Sequence, residues 1–282
     1  MEIELAEEHV FVLDERLTVD EIRQRAMDRR TGAFGSGLGS LLQRPKADDI
    51  ELVASQRRLE PFWHVACQAR YVYDRSRDYT VPASSAEVRE VTIHGQVYPI
   101  NAAAGGFVLP TLEHCREEFG AELFADGVSG APIPDAATIV GGPRQEVGDL
   151  SGLGGDDTIV LAPEQRASFV VRQLLGTMMK PVQADRIIEE SMTLQNIDLY
   201  YRPWWAFEFR WRHKDKKAIV ELDAVTGQMR PGQALAARVT KMINRDALFD
   251  IGADTAGLLV PGGSIAVKVA RMAIDQSHRT SS

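Results

Sequence analysis

Two observations predict an α+β fold made of two pseudo-repeated antiparallel sheets with aromatic inner faces, each covered by one or two helices. The first is an alternation of period two over Phe62 to Tyr73 and again over Ile197 to His213, which only an extended strand sorts onto opposite faces. The second is a match between those segments. Pro61-Phe62-Trp63 can be laid over Pro203-Trp204-Trp205, and Gly95-Gln96-Val97-Tyr98-Pro99 over Gly227-Gln228-Met229-Arg230-Pro231. Trp63, Val65, Cys67 and Ala69 then fall where Trp205, Phe207, Phe209 and Trp211 stand. Duplication of one aromatic hairpin is the expectation.

Composition sets the frame for these elements. A chain of 282 residues that is 44% hydrophobic can bury a core, which excludes disorder throughout. Two cysteines, Cys67 and Cys115, cannot make a disulfide framework, and the acidic start Met1-Glu2-Ile3-Glu4 has none of the basic and apolar character of a leader. A cytoplasmic setting is expected. The longest stretch without charged residues, from Val91 to Leu112, is interrupted by His94, Pro99, Asn101 and Pro110, so no membrane-spanning helix is expected. Residues 1–150 carry 25 acidic and 15 basic side chains, a net −10, and the remainder 15 and 17, a net +2, and neither half is a basic nucleic-acid domain.

Residues 1–50 read as an N-terminal strand at His9–Leu13, a helix over about Val19–Arg29 and a glycine-rich linker. Thr18 and Glu21 are spaced as a capping box, which starts the helix. Glycines 32, 35, 37 and 39 argue against any regular element. Residues 51–126 form the first β-rich half. It has a strand over Phe62–Tyr73, a second over Val88–Ile93 with Gly95 in a tight turn, and a helix over Thr111–Phe124. Leu112, Cys115, Phe119 and Leu123 supply the apolar stripe of that helix at steps of three and four.

Residues 127–158 hold eight glycines and three prolines and read as a loop or linker. Residues 159–276 form the second half. Pro163-Glu164 opens a helix that ends near Gly176, a further helix spans about Ala184–Met192, and the aromatic strand turns near Asp215 into a return strand at Ala218–Asp223. Ala234–Phe249 reads as an amphipathic helix, Gly257–Val267 as an apolar segment broken by Pro-Gly-Gly, and residues 277–282 as a tail.

The return strand ends Leu222-Asp223-Ala224-Val225-Thr226-Gly227 after an aromatic strand and a charged turn. Residues 203–231 resemble the hairpin of PepSY-type domains, in which a strand ends in Asp and Thr-Gly follows two residues on. The resemblance implies a small helix-plus-antiparallel-sheet unit and, since members of that family act as binding or inhibitory modules, a role in binding.

No nucleophile, metal set or nucleotide loop stands out. His114 and Cys115 are adjacent but the cysteine belongs to the apolar stripe, and His114 with Glu118 supplies only half of a zinc site. No cofactor and no metal is expected, and the glycines after Thr31 lack the lysine of a phosphate loop. The function expected is therefore non-catalytic: an adaptor or assembly module whose protein partner, or second copy, docks on the basic hairpin at Arg210, Arg212, Lys214 and Lys216, or on the apolar segment at Leu258 and Leu259. The rival is a hydrolase or small-molecule enzyme with a cleft between the halves, lined by Asp156, Asp157, His64 or His94. A third reading places a membrane surface or nucleic acid against the basic stretch from Arg23 to Lys46.

Overall fold

The computed structural model describes residues 2–34, 45–154, 158–232, 245–251 and 266–267. One mixed sheet of ten strands dominates it, and a separate two-stranded hairpin sits at one tip. Two very long strands form the spine: β3 (Ile50–Pro82) and β9 (Arg186–Trp211) run antiparallel, from Ile50 opposite Trp211 to Asp74 opposite Arg186. The outer side of β9 is covered in turn by β1 (Glu2–Glu4) and β2 (Glu8–Leu13), both parallel to it, and by β10 (Lys216–Asp223), which is antiparallel. The outer side of β3 pairs with β6 (Gly106–Asp126) and, near its start, with β8 (Thr158–Val160). Short strands β7 (Arg144–Glu146), β11 (Met229–Pro231) and β12 (Ala266–Val267) add to β2, β10 and β1. The hairpin at the tip is β4 (Glu90–Ile93) with β5 (Gln96–Pro99).

The two-half architecture is therefore wrong. The matched segments are neighbours within one sheet, and Pro61 and Pro203 lie one register step on either side of the directly paired Glu60 and Arg202. Each proline falls where a flanking strand ends, so its missing N–H costs no ladder bond. Gly95 belongs to the tip hairpin rather than to a second copy of the β10 turn. There His94 and Gly95 both have positive φ, 44° and 83°, the geometry of a two-residue hairpin loop whose twist matches its strands.

Two expected helices are strands. Thr111–Phe124 lies within β6, and Ala184–Met192 runs into β9. Cys115, Phe119 and Leu123 are spaced by four, which keeps one face of a helix but equally one face of a strand. Leu112 decides between them: a helix would bury it, whereas here it is 54% exposed.

Among the described residues there are four α-helices: three lie where expected or close to it, and one, over Ala136–Val140, falls in the stretch 127–158 read as a loop or linker. The first, α1 (Val19–Arg29), begins at the Thr18–Glu21 capping box, with Thr18 N–H donating to the Glu21 carboxylate at 2.8 Å, and buries Ile22 and Ala26 against Phe207, Phe209, Val220 and Leu222. On the opposite parity of the sheet, α2 (Ala136–Val140) covers Phe62, Phe124 and Tyr200. The largest core gathers Trp63, Val65, Cys67, Ala69 and Tyr71 with Leu194, Ile197 and Leu199 under α3 (Ala167–Met178) and α4 (Arg245–Phe249). Each large side chain that α3 buries contributes about 1.5–3 kcal/mol. No helix among the described residues is long and apolar enough to cross a membrane.

Candidate functional site

Polar residues fill the face of the spine that β3, β9 and β10 share at their even-numbered β9 positions. Arg202 pairs with Asp223, whose side chain is wholly buried, and also donates to Thr226 at 3.3 Å. Asp223 in turn accepts from the Val225 N–H at 2.8 Å and from the Thr226 hydroxyl, and its carbonyl accepts from Gly227, where φ is 75°. That set of bonds accounts for the Asp-Ala-Val-Thr-Gly sequence as a self-closed turn pinned by one arginine. Beside it, Glu221 accepts from Arg58 at 2.8 Å and from Arg230 at 2.6 Å, and Arg230 also reaches Glu60 and lies 3.9 Å above the Trp204 ring. Burial pushes the Glu60 carboxyl up, against the pull of Arg230. Three arginines and three carboxylates thus lace four strands together around Trp204. Every charge is matched, which is what burial demands.

The basic hairpin is matched as well. Arg210 and Arg212 both bond the Glu51 carboxylate, holding it below its ordinary value, while His213 meets Asp49 at 3.1 Å and Lys217 meets Glu208 at 2.6 Å. Lys214 lies 4.7 Å over the Trp211 ring, and Lys216 is exposed at the turn. The strand start at Glu51, unforeseen from the sequence, is what meets the arginines.

Of the four cleft residues only His64 and His94 are described, and those two lie far apart. Asp156 and Asp157, like Leu258 and Leu259, lie outside the described residues. His64 sits in the sheet, its ring stacked 4.3 Å from Phe124, with Nε2 3.3 Å from Glu122 and Nδ1 3.7 Å from buried Asp198. His94 is exposed in the tip hairpin. Eighteen residues of β3 separate His64 from the end of that strand, roughly 60 Å. Both neighbours of His64 are carboxylates, which can orient an imidazole. Cys115 and His114 point to opposite faces of β6, where His114 bonds Asp74 at 2.7 Å. Among the described residues no group of three or more ligating side chains could hold a metal ion. In the basic stretch, Arg23 pairs with Asp20, and Arg30 bonds backbone carbonyls of Met27 and Ala47.

The feature that sequence reasoning missed is an arm. Beyond the last β9 pair, Asp74 with Arg186, the Asp185 carboxylate still accepts from the Ser76 N–H, and β3 and β6 continue as a two-stranded ribbon from Arg75 opposite Glu113 to Pro82 opposite Gly106. This two-stranded ribbon projects roughly 26 Å and carries the β4–β5 hairpin at its end, with Tyr98 tilted against Phe107 at 5.7 Å. Arg75 bonds Glu113 at 2.5 Å and the Thr111 hydroxyl donates to the Arg77 carbonyl at 2.7 Å. Large apolar side chains stand exposed along it: Tyr79, Val108 and Leu112 on the ribbon, Val97 at the tip, Ile187 and Ile188 at the base. The one signal in the sequence was period two in Phe107, Leu109, Thr111 and onward, which the spacing of four concealed.

Comparison with known proteins identified no matching family model, no matching curated protein and no matching solved structure.

Proposed function

We propose that this protein is a non-catalytic binding module that holds a protein partner along its arm. One observation carries the reading: of the nine large apolar residues exposed among the described ones, six stand on the projecting ribbon, its tip or its base, with Val108 and Leu112 on one face of the ribbon and Tyr79 on the other. Such a ribbon is marginal in water by itself, and apolar surface gathered at one place marks a contact site more often than residues scattered singly. The matched charges of the Arg210 hairpin favour the arm over that hairpin as the docking surface. The PepSY-type resemblance at residues 203–231 also supports binding.

The test compares the whole chain with a variant in which residues 76–112 are replaced by an Asn-Gly turn, both used as bait in extract from the native cell. The expected result is a stoichiometric protein captured by the whole chain, lost with the shortened arm and kept by the double variant Arg210→Glu, Arg212→Glu. Identical captured sets from whole and shortened chains overturn the proposal.

A further inference from the structure

Among the described residues the outer edge of β6 is paired only at its Gly106 and Phe124–Asp126 ends, and the direction of its backbone groups can be fixed from bonds at its two ends. Gly127 N–H donates to the Pro61 carbonyl and Ala83 N–H to the Gly105 carbonyl, so odd-numbered residues of this segment face β3. Phe124 and Asp126 bond outward instead, to Ile133 and Ala131. The register between β3 and β6 runs without a bulge. Even-numbered residues of β6 therefore turn their N–H and C=O groups away from β3 along its whole length. Among the described residues nothing pairs with that edge between Val108 and Glu122.

The usable edge has two limits. Pro110 has no N–H to offer, and Phe124 already bonds Ile133, which leaves Leu112 to Glu122 with Glu117 at its centre. We propose that this window joins β6 of a second copy of the chain, antiparallel and about a two-fold axis at Glu117, to make one continuous sheet. Leu112 then lies opposite Glu122, His114 opposite Gly120, and Arg116 opposite Glu118, each twice, for about twelve backbone hydrogen bonds.

The exposed charges of Arg116 and Glu118 favour this register. Within the chain Arg116 Nε donates to Glu118 at 2.9 Å and Arg70 of β3 lies 3.6 Å from the same carboxylate, and across the axis each would trade or share that partner with the second copy. Across the axis the row reads Arg70, Glu118, Arg116, with signs alternating. A shift by two residues sets Arg116 against its own copy or Glu118 against its own, which is unfavourable. A shift by one sets bonding groups against non-bonding ones. The Glu117 carboxylates that meet on the axis are each held by Lys180 and by the Tyr73 hydroxyl of their own chain. The surface is isologous, as closed dimers require. It shares Leu112 with the arm but takes its register from Arg116 and Glu118, so it does not rest on the proposed function.

Sedimentation and light scattering of the full chain test the pairing. A dimer is expected. Arg116→Glu and Glu118→Arg should each weaken it roughly tenfold or more, and the double swap Arg116→Glu, Glu118→Arg should restore it, because two like-charge pairs become opposite pairs again. In a Cys115→Ala background, Glu117→Cys should cross-link to its own copy under mild oxidation, since facing residues at a non-bonded antiparallel site lie within disulfide reach. Glu113→Cys, which faces Ala121, should not. A monomer with no Glu117→Cys cross-link, a dimer indifferent to the charge reversals, or equal cross-linking at 113 and 117 overturns the proposal.

Discussion

Removing Asp223 should expose how strongly the buried ion pair and the turn depend on one another. The carboxylate is wholly buried, accepts from Val225 and Thr226, and faces Arg202, which is 9% exposed. Asp223→Ala deletes two hydrogen bonds to neutral donors, each worth about 1 kcal/mol, and strands a buried guanidinium, so a loss of about 3–5 kcal/mol is expected. Arg202→Met strands the carboxylate instead and should cost a similar amount. The double variant leaves no uncompensated charge, and its loss should fall at least about 2 kcal/mol short of the sum of the single losses. Urea denaturation of the four proteins at pH 7 measures this. Simple additivity would mean that the pair is hydrated and that the Asp-Ala-Val-Thr-Gly turn closes without Arg202, which would refute the account of that turn.

Trp63→Ala should cost about 3–5 kcal/mol in the same assay, because the ring is fully buried, edge-on to Phe249, and its N–H donates to Gln165 at 2.9 Å; Trp205→Ala, at a half-buried ring, should cost clearly less, and equal losses would refute the burial difference. Burial pushes the Cys67 thiol up to about 11, so a disulfide-exchange reagent at pH 8 should titrate one thiol in the native protein, Cys115, and both only in denaturant. Burial likewise pushes the Tyr200 hydroxyl to about 12, and for both groups the folded state holds its proton more tightly than the unfolded chain. Stability from these groups is therefore complete below pH about 9 and is lost as pH rises through 11–12; the urea midpoint should fall over that range, and a midpoint flat to pH 12 would contradict it.

The parts of the fold legible in the sequence are those whose partners lie a few residues away. Thr18 and Glu21 close their capping box within one turn, His94 and Gly95 adopt the hairpin loop locally, and Asp223 ties its own turn through Val225 and Thr226. The inward parity of Trp63 to Tyr71 followed from alternation alone. Of the candidate site, the sequence showed the charges of the Arg210 hairpin but not Glu51, which lies more than 150 residues away in the chain and meets them only through pairing of β3 with β9.

What the sequence determined by itself was the periodicity of its strands and the chemistry of its turns and caps, because these depend on short-range sterics and hydrogen bonds. Tertiary structure decided which strand lies beside which. A strand's backbone bonds go to a neighbour at any distance in sequence, and its side-chain period does not name that neighbour. The same alternation that suggested two copied sheets is satisfied by β3 and β9 packed side by side, and Cys115, Phe119 and Leu123 suit helix and strand alike until β3 claims β6 along its full length. The projecting arm and the open β6 edge follow only from where β9 stops.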